Sequence, residues 1–201
     1  MSSPEQILRE AAERFDRIAI ACSFQKEASV VLDFASRIAP ERFDVFTLDT
    51  GVLFDETLDT WAAFERHYGV KIDGLRGERP DRLWETDPDG CCDARKVVPL
   101  RERLEGAEAW VTGVRRDQAP TRADTEEISW DEKYGLWKIA PLAAWTEKDV
   151  WRHILDRGLP YHPLHDRGYA SIGCVPCTRP GEGREGRWAG TGKVECGLHA
   201  A

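Results

Sequence analysis

The residues best able to do chemistry in this chain are its six cysteines, and they are grouped rather than scattered. Cys91 and Cys92 are adjacent, Cys174 and Cys177 form a Cys-x-x-Cys, and Cys22 and Cys196 stand alone. A pair, a long gap and a Cys-x-x-Cys supply four thiolates, enough for a tetrahedral zinc ion or a cubane iron-sulfur cluster. Neighbouring side chains on a helix diverge by roughly 100°. Cys91 and Cys92 therefore reach two corners of a wide cluster more easily than one small ion, which favours a 4Fe-4S cluster. A zinc knot and a redox-active dithiol at Cys174 and Cys177 are the rival readings. Cys22, inside an apolar run, reads as a buried small side chain.

Charge marks two further stretches. The 201 residues carry 28 basic and 36 acidic side chains, a formal charge of −8. Residues 113–122 hold Arg115, Arg116 and Arg122 against Asp117, and residues 174–194 hold Arg179, Arg184, Arg187 and Lys193 against Glu182 and Glu185. Each stretch is net +2, which leaves −12 on the rest of the chain. Two cationic loops on an anionic body suit a small anionic ligand, and no nucleic acid partner is expected, since that would call for a basic face.

Ser23-Phe24-Gln25-Lys26 joins an apolar run to a helical pattern, where backbone N–H groups and a helix dipole bind anions. It lacks the twin glycines of a pyrophosphatase-type loop and the Gly-Lys-Ser/Thr of a P-loop. Leu48-Asp49-Thr50-Gly51 closes the next apolar run. Ser23, Phe24, Leu48, Asp49 and Gly51 are thus candidate contacts flanking one nucleotide.

These groups must be positioned by regular elements. Ser3-Pro4-Glu5-Gln6 offers a helix cap, and Ile7, Leu8, Ala11, Ala12 and Phe15 follow at helical spacing. Strands are predicted over 17–22, 43–48, 70–75, 109–112 and near 136–140. Helices are predicted over 26–38, through Leu58, Trp61, Phe64 and Tyr68 to a stop at Gly69, from the cysteine pair to about 105, and from Thr146 to Gly158. Alternating strand and helix mean an α/β fold, an open, mainly parallel sheet flanked by helices. From Tyr161 onward apolar residues are few, so a ligand or metal is expected to order the tail. Apolar residues make up 41% of the chain, with no run long enough for a membrane span. The opening residues lack a basic region followed by an apolar core, so the cytoplasm is the expected compartment. Both a monomer and a homo-oligomer are compatible with this composition.

Six segments together carry a family resemblance: Cys91-Cys92-Asp93-Ala94-Arg95-Lys96, the run from Gly113 to Arg122, Tyr161-His162-Pro163-Leu164-His165-Asp166, Gly173-Cys174-Val175-Pro176-Cys177-Thr178, Arg184-Glu185-Gly186-Arg187-Trp188 and Glu195-Cys196-Gly197-Leu198-His199. In this order they resemble the assimilatory adenylyl-sulfate (APS) reductases, whose sheet is of the adenine nucleotide alpha-hydrolase-like kind. The resemblance implies that Cys196 attacks the sulfur of adenosine 5′-phosphosulfate, releases AMP and becomes a thiosulfonate, which thioredoxin resolves to sulfite. It implies that Cys91, Cys92, Cys174 and Cys177 hold the cluster, that Lys96 lies between cluster and substrate, and that Arg115, Arg116, Arg184 and Arg187 face the phosphosulfate. It divides the chain into a nucleotide- and cluster-binding domain over 1–177 and a mobile catalytic tail over 178–201.

Cys196 must react as a thiolate and so needs positive surroundings. Glu195 beside it is therefore expected to face away or to pair with Lys193. His199 would share a face with Cys196 if the tail is helical there, Trp188 either packs the closed tail or stands exposed, and His162 and His165 read as structural or substrate-side groups. The cluster cysteines favour APS over its 3′-phosphorylated form, PAPS, because the PAPS-restricted branch lacks them. PAPS or dual specificity is the near alternative, since the first loop departs from the pattern of either branch. More remote are an ATP-dependent adenylating or thiolating enzyme, which would want a Ser-Gly-Gly loop, and a non-catalytic nucleotide-binding module.

Overall fold

A computed structural model describes residues 2–199. Helix α1 (Pro4–Arg14) starts where the sequence places it: the Ser3 hydroxyl accepts from the Gln6 amide at 3.2 Å and the Gln6 side chain accepts from the Ser3 amide at 2.8 Å. There follow β1 (Ile18–Ala21), α2 (Lys26–Ile38), β2 (Phe43–Leu48), α3 (Asp55–Tyr68), β3 (Asp73–Leu75), α4 (Pro88–Cys92), α5 (Val98–Leu104), β4 (Ala109–Val111), β5 (Ile128–Asp131), β6 (Leu136–Ile139) and α6 (Glu147–Arg157). Gly69 and Gly158 close α3 and α6 at φ of 64° and 61°, a conformation that disfavours residues with a Cβ.

The six strands form one sheet in the order β3-β2-β1-β4-β6-β5. Every pairing is parallel except β5 with β6. The expected open, mainly parallel sheet is therefore present, and β5 is an addition: its four residues show no clear alternation and are recruited as an edge by the hairpin turn before Leu136. Two boundaries also differ. The predicted strand over 70–75 pairs only from Asp73, and Leu58, expected on the buried face of α3, is exposed.

The pleat of β1 sorts its side chains to two cores. Ile18 and Ile20 join the cluster built from α1, α2, α3 and α6, through Leu8, Val31, Phe64 and Ile154. Ala19 faces the opposite side, with Phe46, Trp110, Leu136 and the α5 residues Leu100 and Leu104. Residues from Tyr161 onward form short 3-10 turns and two isolated bridges, Tyr169 with Gly181 and Thr178 with Arg187, and are tied down by polar contacts rather than by a packed helix. His162 is buried: its Nε2 lies 2.9 Å from the Thr57 hydroxyl and its Nδ1 accepts from the Leu164 amide. Burial, with His165 nearby, pushes its pKa down to about 4, so it is neutral and structural. The end of the tail packs on the sheet face that carries Trp110, where Leu198 joins the smaller core, and residues 200 and 201 fall outside the described residues. Among the described residues no helix is long and apolar enough to cross a membrane.

Asp33 joins α2 to α6. Its carboxylate accepts from Arg37, from Arg157 at 2.9 Å and from His153 at 2.9 Å. Burial alone would raise its pKa, but these three donors hold it below the usual carboxylate range. A depressed folded-state pKa contributes stability above the unfolded value of about 3.9 and loses it as pH falls through the folded value. Asp33→Asn should therefore lower the urea midpoint by an amount equivalent to about 1–3 kcal/mol at pH 7. The difference from the parent chain should shrink steadily below about pH 4, as urea titrations at pH 7, 5, 4 and 3 would read.

Candidate active site

A cavity of about 230 Å³ opens outside the carboxyl ends of the parallel strands. It sits between β1 and β4, where the strand order reverses direction, which is where an open α/β sheet leaves a crevice for a ligand. The loop after β1 supplies Ser23, Phe24 and Gln25, the end of β2 supplies Leu48 and Thr50, and the segment after β4 supplies Thr112, Arg115 and Arg122. The tail closes the other side with Arg184, Arg187 and Cys196. Phe24 adopts φ 59° and sinks its ring into the core, 5.6 Å from the rings of Trp61 and Phe64. That left-handed turn sets the course of the loop's backbone along the cavity wall.

Not every expected contact reaches this cavity. Asp49 turns away: its carboxylate accepts from Arg76 at 2.8 Å and from the Gly51 amide at 2.9 Å, with Arg79 at 3.2 Å. Gly51, at φ 73°, lies beneath the Arg79 guanidinium, and a Cβ there would stand 2.7 Å from it. Asp49 and Gly51 thus shape the loop and leave Thr50 to face the cavity. Arg116 also points elsewhere, donating to the Thr125 carbonyl at 2.7 Å. Arg115 does line the cavity, yet its guanidinium is engaged by Glu27 at 3.0 Å and by Asp117. Arg122, outside the expected set, takes a place that the sequence assigned to its neighbours.

A second, smaller and mostly apolar cavity adjoins the first, and Cys91, Cys92, Cys174 and Cys177 all line it. The cysteine pair ends α4, and residues 93–97 continue as a π-helical turn before α5. Lys96 on that turn, with Arg187, borders both cavities. Burial disfavours the Lys96 ammonium, but the sulfurs of Cys174, Cys196 and Cys92 outweigh it and hold the group above its ordinary range. Burial likewise opposes ionisation of Cys174, and there Lys96, the Thr50 hydroxyl at 3.3 Å and Arg187 bring the thiol below its usual value. Burial dominates at Cys92, raising it to about 11. Cys22 sits in the wall of the main cavity at the end of β1, and burial pushes it up to about 12, so it stays a protonated thiol. Among the described residues no three His, Cys, Asp or Glu side chains converge on a single-ion site.

The tail is seated by named contacts. Glu195 does not pair with Lys193: it accepts from Arg122 Nε and Nη2, both at 2.9 Å, from Arg184 at 2.9 Å and from the Thr121 hydroxyl at 3.2 Å. Lys193 reaches Asp89 instead. The Gly197 carbonyl accepts from Lys133 and the Leu198 carbonyl from the Tyr134 hydroxyl at 3.2 Å. The segment is not helical, so His199 shares no helix face with Cys196; its ring stacks on Trp110 at 5.3 Å. Trp188 is buried and carries Arg187 over its ring at 4.4 Å, with Arg184 and Lys193 each 5.7 Å from the same ring. The Nε atoms of Arg184 and Arg187 are buried without a hydrogen-bond partner. Two desolvated cations with spare donors beside a cavity are equipped to bind an anion with several oxygens.

Residues 17–180 match the family model described as the phosphoadenosine phosphosulfate reductase domain. The chain belongs to this family. A relative from Geobacillus kaustophilus, named adenosine 5′-phosphosulfate reductase, is 47% identical over 200 residues, covering 92% of this chain and 85% of its own. The crystal structure of phosphoadenylyl-sulfate (PAPS) reductase from Candida auris in a phosphate complex superposes with a TM-score of 0.80 at 29% identity, covering 89% of this chain and 91% of that one. FMN adenylyltransferase from Candida glabrata, at 16% identity and a TM-score of 0.68 over 90% of this chain and 64% of its own, shares the fold. In this member of the reductase family, the first strand-end loop, the segment after β4 and the tail converge on one cavity.

The engagement of Arg115 by Glu27 separates a structural role from a ligand contact. Burial raises the Glu27 carboxyl, and Lys26 and Arg115 more than reverse this, keeping it ionised. Arg115→Ala would strand that carboxylate and should cost about 3–5 kcal/mol in urea unfolding. Replacing both partners, Arg115→Met with Glu27→Leu, should recover most of the loss in the same measurement.

Proposed function

We propose that this chain reduces adenosine 5′-phosphosulfate to sulfite and AMP in sulfate assimilation, as an oxidoreductase acting on a sulfur group. The observation that carries the reading is that Cys196 lines the same cavity as Lys96, Arg122, Arg184 and Arg187, so that this thiol and these four cations share one cavity. The nucleotide would lie along the loops after β1 and β2, near Ser23, Phe24 and Leu48, at the crevice of the switch point. Its phosphosulfate would meet the buried guanidiniums, whose spare donors offset the charge of both ground state and leaving group.

In this reading the Cys196 thiolate attacks the substrate sulfur. The new S–S bond forms as the S–O bond to the phosphate breaks, and AMP departs with that electron pair. The resulting thiosulfonate on Cys196 is resolved by an external dithiol. One thiolate of the donor attacks the Cys196 sulfur, sulfite leaves with the S–S electron pair, and the donor's second thiol closes its own disulfide and frees Cys196. The donor supplies both electrons, and thioredoxin fits that chemistry. The domain over 1–177 would present nucleotide and cysteines, and the tail over 178–201 would deliver Cys196. A cytoplasmic setting, which keeps thiols reduced, suits a chain whose six cysteines form no disulfide among the described residues.

Cys91, Cys92, Cys174 and Cys177 would hold a 4Fe-4S cluster. The residues suit such a group: four thiols border one small, mostly apolar cavity, an adjacent pair and a Cys-x-x-Cys. Such a cluster supplies a fixed charge behind the substrate and a covalent tie between α4 and the tail's base. Lys96 and Arg187, which border both cavities, would transmit that charge to the sulfonate.

The test is anaerobic purification with iron and sulfide analysis, then incubation with APS without reductant and intact-mass measurement. Iron and sulfide near four each per chain, with a sulfite-sized adduct mapped to Cys196, is expected. Cys196→Ser should show no adduct and lose sulfite formation by about 10³-fold or more. Sulfite formation by Cys196→Ser at the parent rate would overturn the mechanism. Turnover of APS should exceed that of PAPS, and the reverse would transfer the reading to the 3′-phosphorylated nucleotide.

A further inference from the structure

Among the polar contacts of the tail, Glu195 makes the densest set. One carboxylate receives three N–H donors from Arg122 and Arg184 and the Thr121 hydroxyl, and its side chain is 13% exposed. Arg122 belongs to the turn after β4 and Arg184 to the base of the tail, so the carboxylate ties two separate segments together. Both guanidiniums border the main cavity, whereas Glu195 does not. It binds both guanidiniums where they border the cavity, and the third nitrogen of Arg122 donates to Gln118 at 2.6 Å. Without it, two partly buried cations would confront each other. Burial, together with Arg122, already lowers Arg184 to about 10, so repulsion between the two is part of the site.

Glu195 also precedes Cys196 directly, so one peptide bond links the bridge to the thiol. The remaining contacts of residues 193–199 differ in kind. Lys133, Tyr134 and Arg184 bond to backbone carbonyls, which any residue would offer, Lys193 pairs with an exposed Asp89, and Leu198 and His199 pack on the smaller core beyond the thiol. The bridge is thus the one anchor in this segment that depends on an acidic side chain meeting a matched pair of guanidiniums.

We propose that Glu195 is a positioning residue: by bridging Arg122 and Arg184 it latches the tail shut, holds the Cys196 thiol at the cavity and aims both guanidiniums at the substrate anion. The sequence puts an acid next to a thiol that needs positive surroundings, which looks adverse. In the fold that acid is consumed by two arginines and leaves the trio net positive. The proposal rests on the reading of Cys196 as the nucleophile, and its test is chosen to be read without turnover.

The experiment is iodoacetamide alkylation of the anaerobically purified protein without substrate, with the Cys196 peptide quantified by mass spectrometry. Glu195→Gln and Glu195→Ala should alkylate at Cys196 about tenfold or more faster than the parent, from loss of charge-assisted hydrogen bonds, while the thermal midpoint changes little. Glu195→Asp, which keeps the charge, should fall between them and the parent. The exchange Glu195→Arg with Arg122→Glu sets an acid between two guanidiniums again and should restore protection, although Arg122 is lost from the cavity. In turnover assays Glu195→Gln should raise KM for APS more than it lowers kcat. Unchanged alkylation in Glu195→Gln, or no return of protection in the exchanged variant, would overturn the latch. A catalytically neutral Cys196→Ser would instead sink the proposed function and leave the alkylation result standing.

Discussion

The two faces of the sheet are covered unequally, and much of the molecule follows from that. Four helices pack on one face, so Ile18, Ile20 and Val111 are sealed by regular structure. On the other face α5 is the principal helix, and it leaves Phe46 and Trp110 in need of further cover. Apolar sheet surface has to be buried against something. Leu198 packs against that smaller core, His199 lies on the Trp110 ring and Tyr134 bonds to the segment. The same residues that complete the core bring Cys196 to the cavity, so covering the sheet and assembling the site are one event.

Electrostatics then divides the arginines by role. Arg115 and Glu27 form a buried pair that fixes the segment after β4 against α2, and Arg116 is spent on a carbonyl. Arg184 and Arg187 keep buried donors free beside the cavity. An acidic chain can concentrate cations in one place because its excess negative charge lies elsewhere on the surface. The desolvation cost of those cations is met partly by carboxylates behind them and partly by aromatic faces such as Trp188.

Lys96 and Arg187 join the two cavities. The π-helical turn over 93–97 sets Lys96 among the sulfurs of Cys92, Cys174 and Cys196, so one ammonium is coupled to thiols of both cavities. A π-turn is a local irregularity in a helix, and here it lies where a side chain must serve two neighbouring sites at once.

The sequence by itself determined the order of the main alternating elements and which chemical groups the chain carries. Ser3 and Gln6 cap α1, Gly69 and Gly158 stop α3 and α6, and alternating periodicity specified a parallel sheet, because caps, glycine stops and pleat are local properties of neighbouring residues. The cysteine spacing and the tail's Glu195-Cys196-Gly197-Leu198-His199 were equally readable, since they name chemical groups. Only the tertiary structure decided which arginines face the cavity. Arg115, Arg116 and Arg122 are the same residue type at nearly the same position in the chain, and their roles separate only when Glu27 and Glu195 arrive from other segments and the loop folds the Thr125 carbonyl onto Arg116. The same holds for Asp49 and Gly51, which Arg76 and Arg79 draw away, and for the edge strand β5, which exists because β6 offers it a partner. Long-range pairing assigns such roles, and spacing along one chain does not encode it.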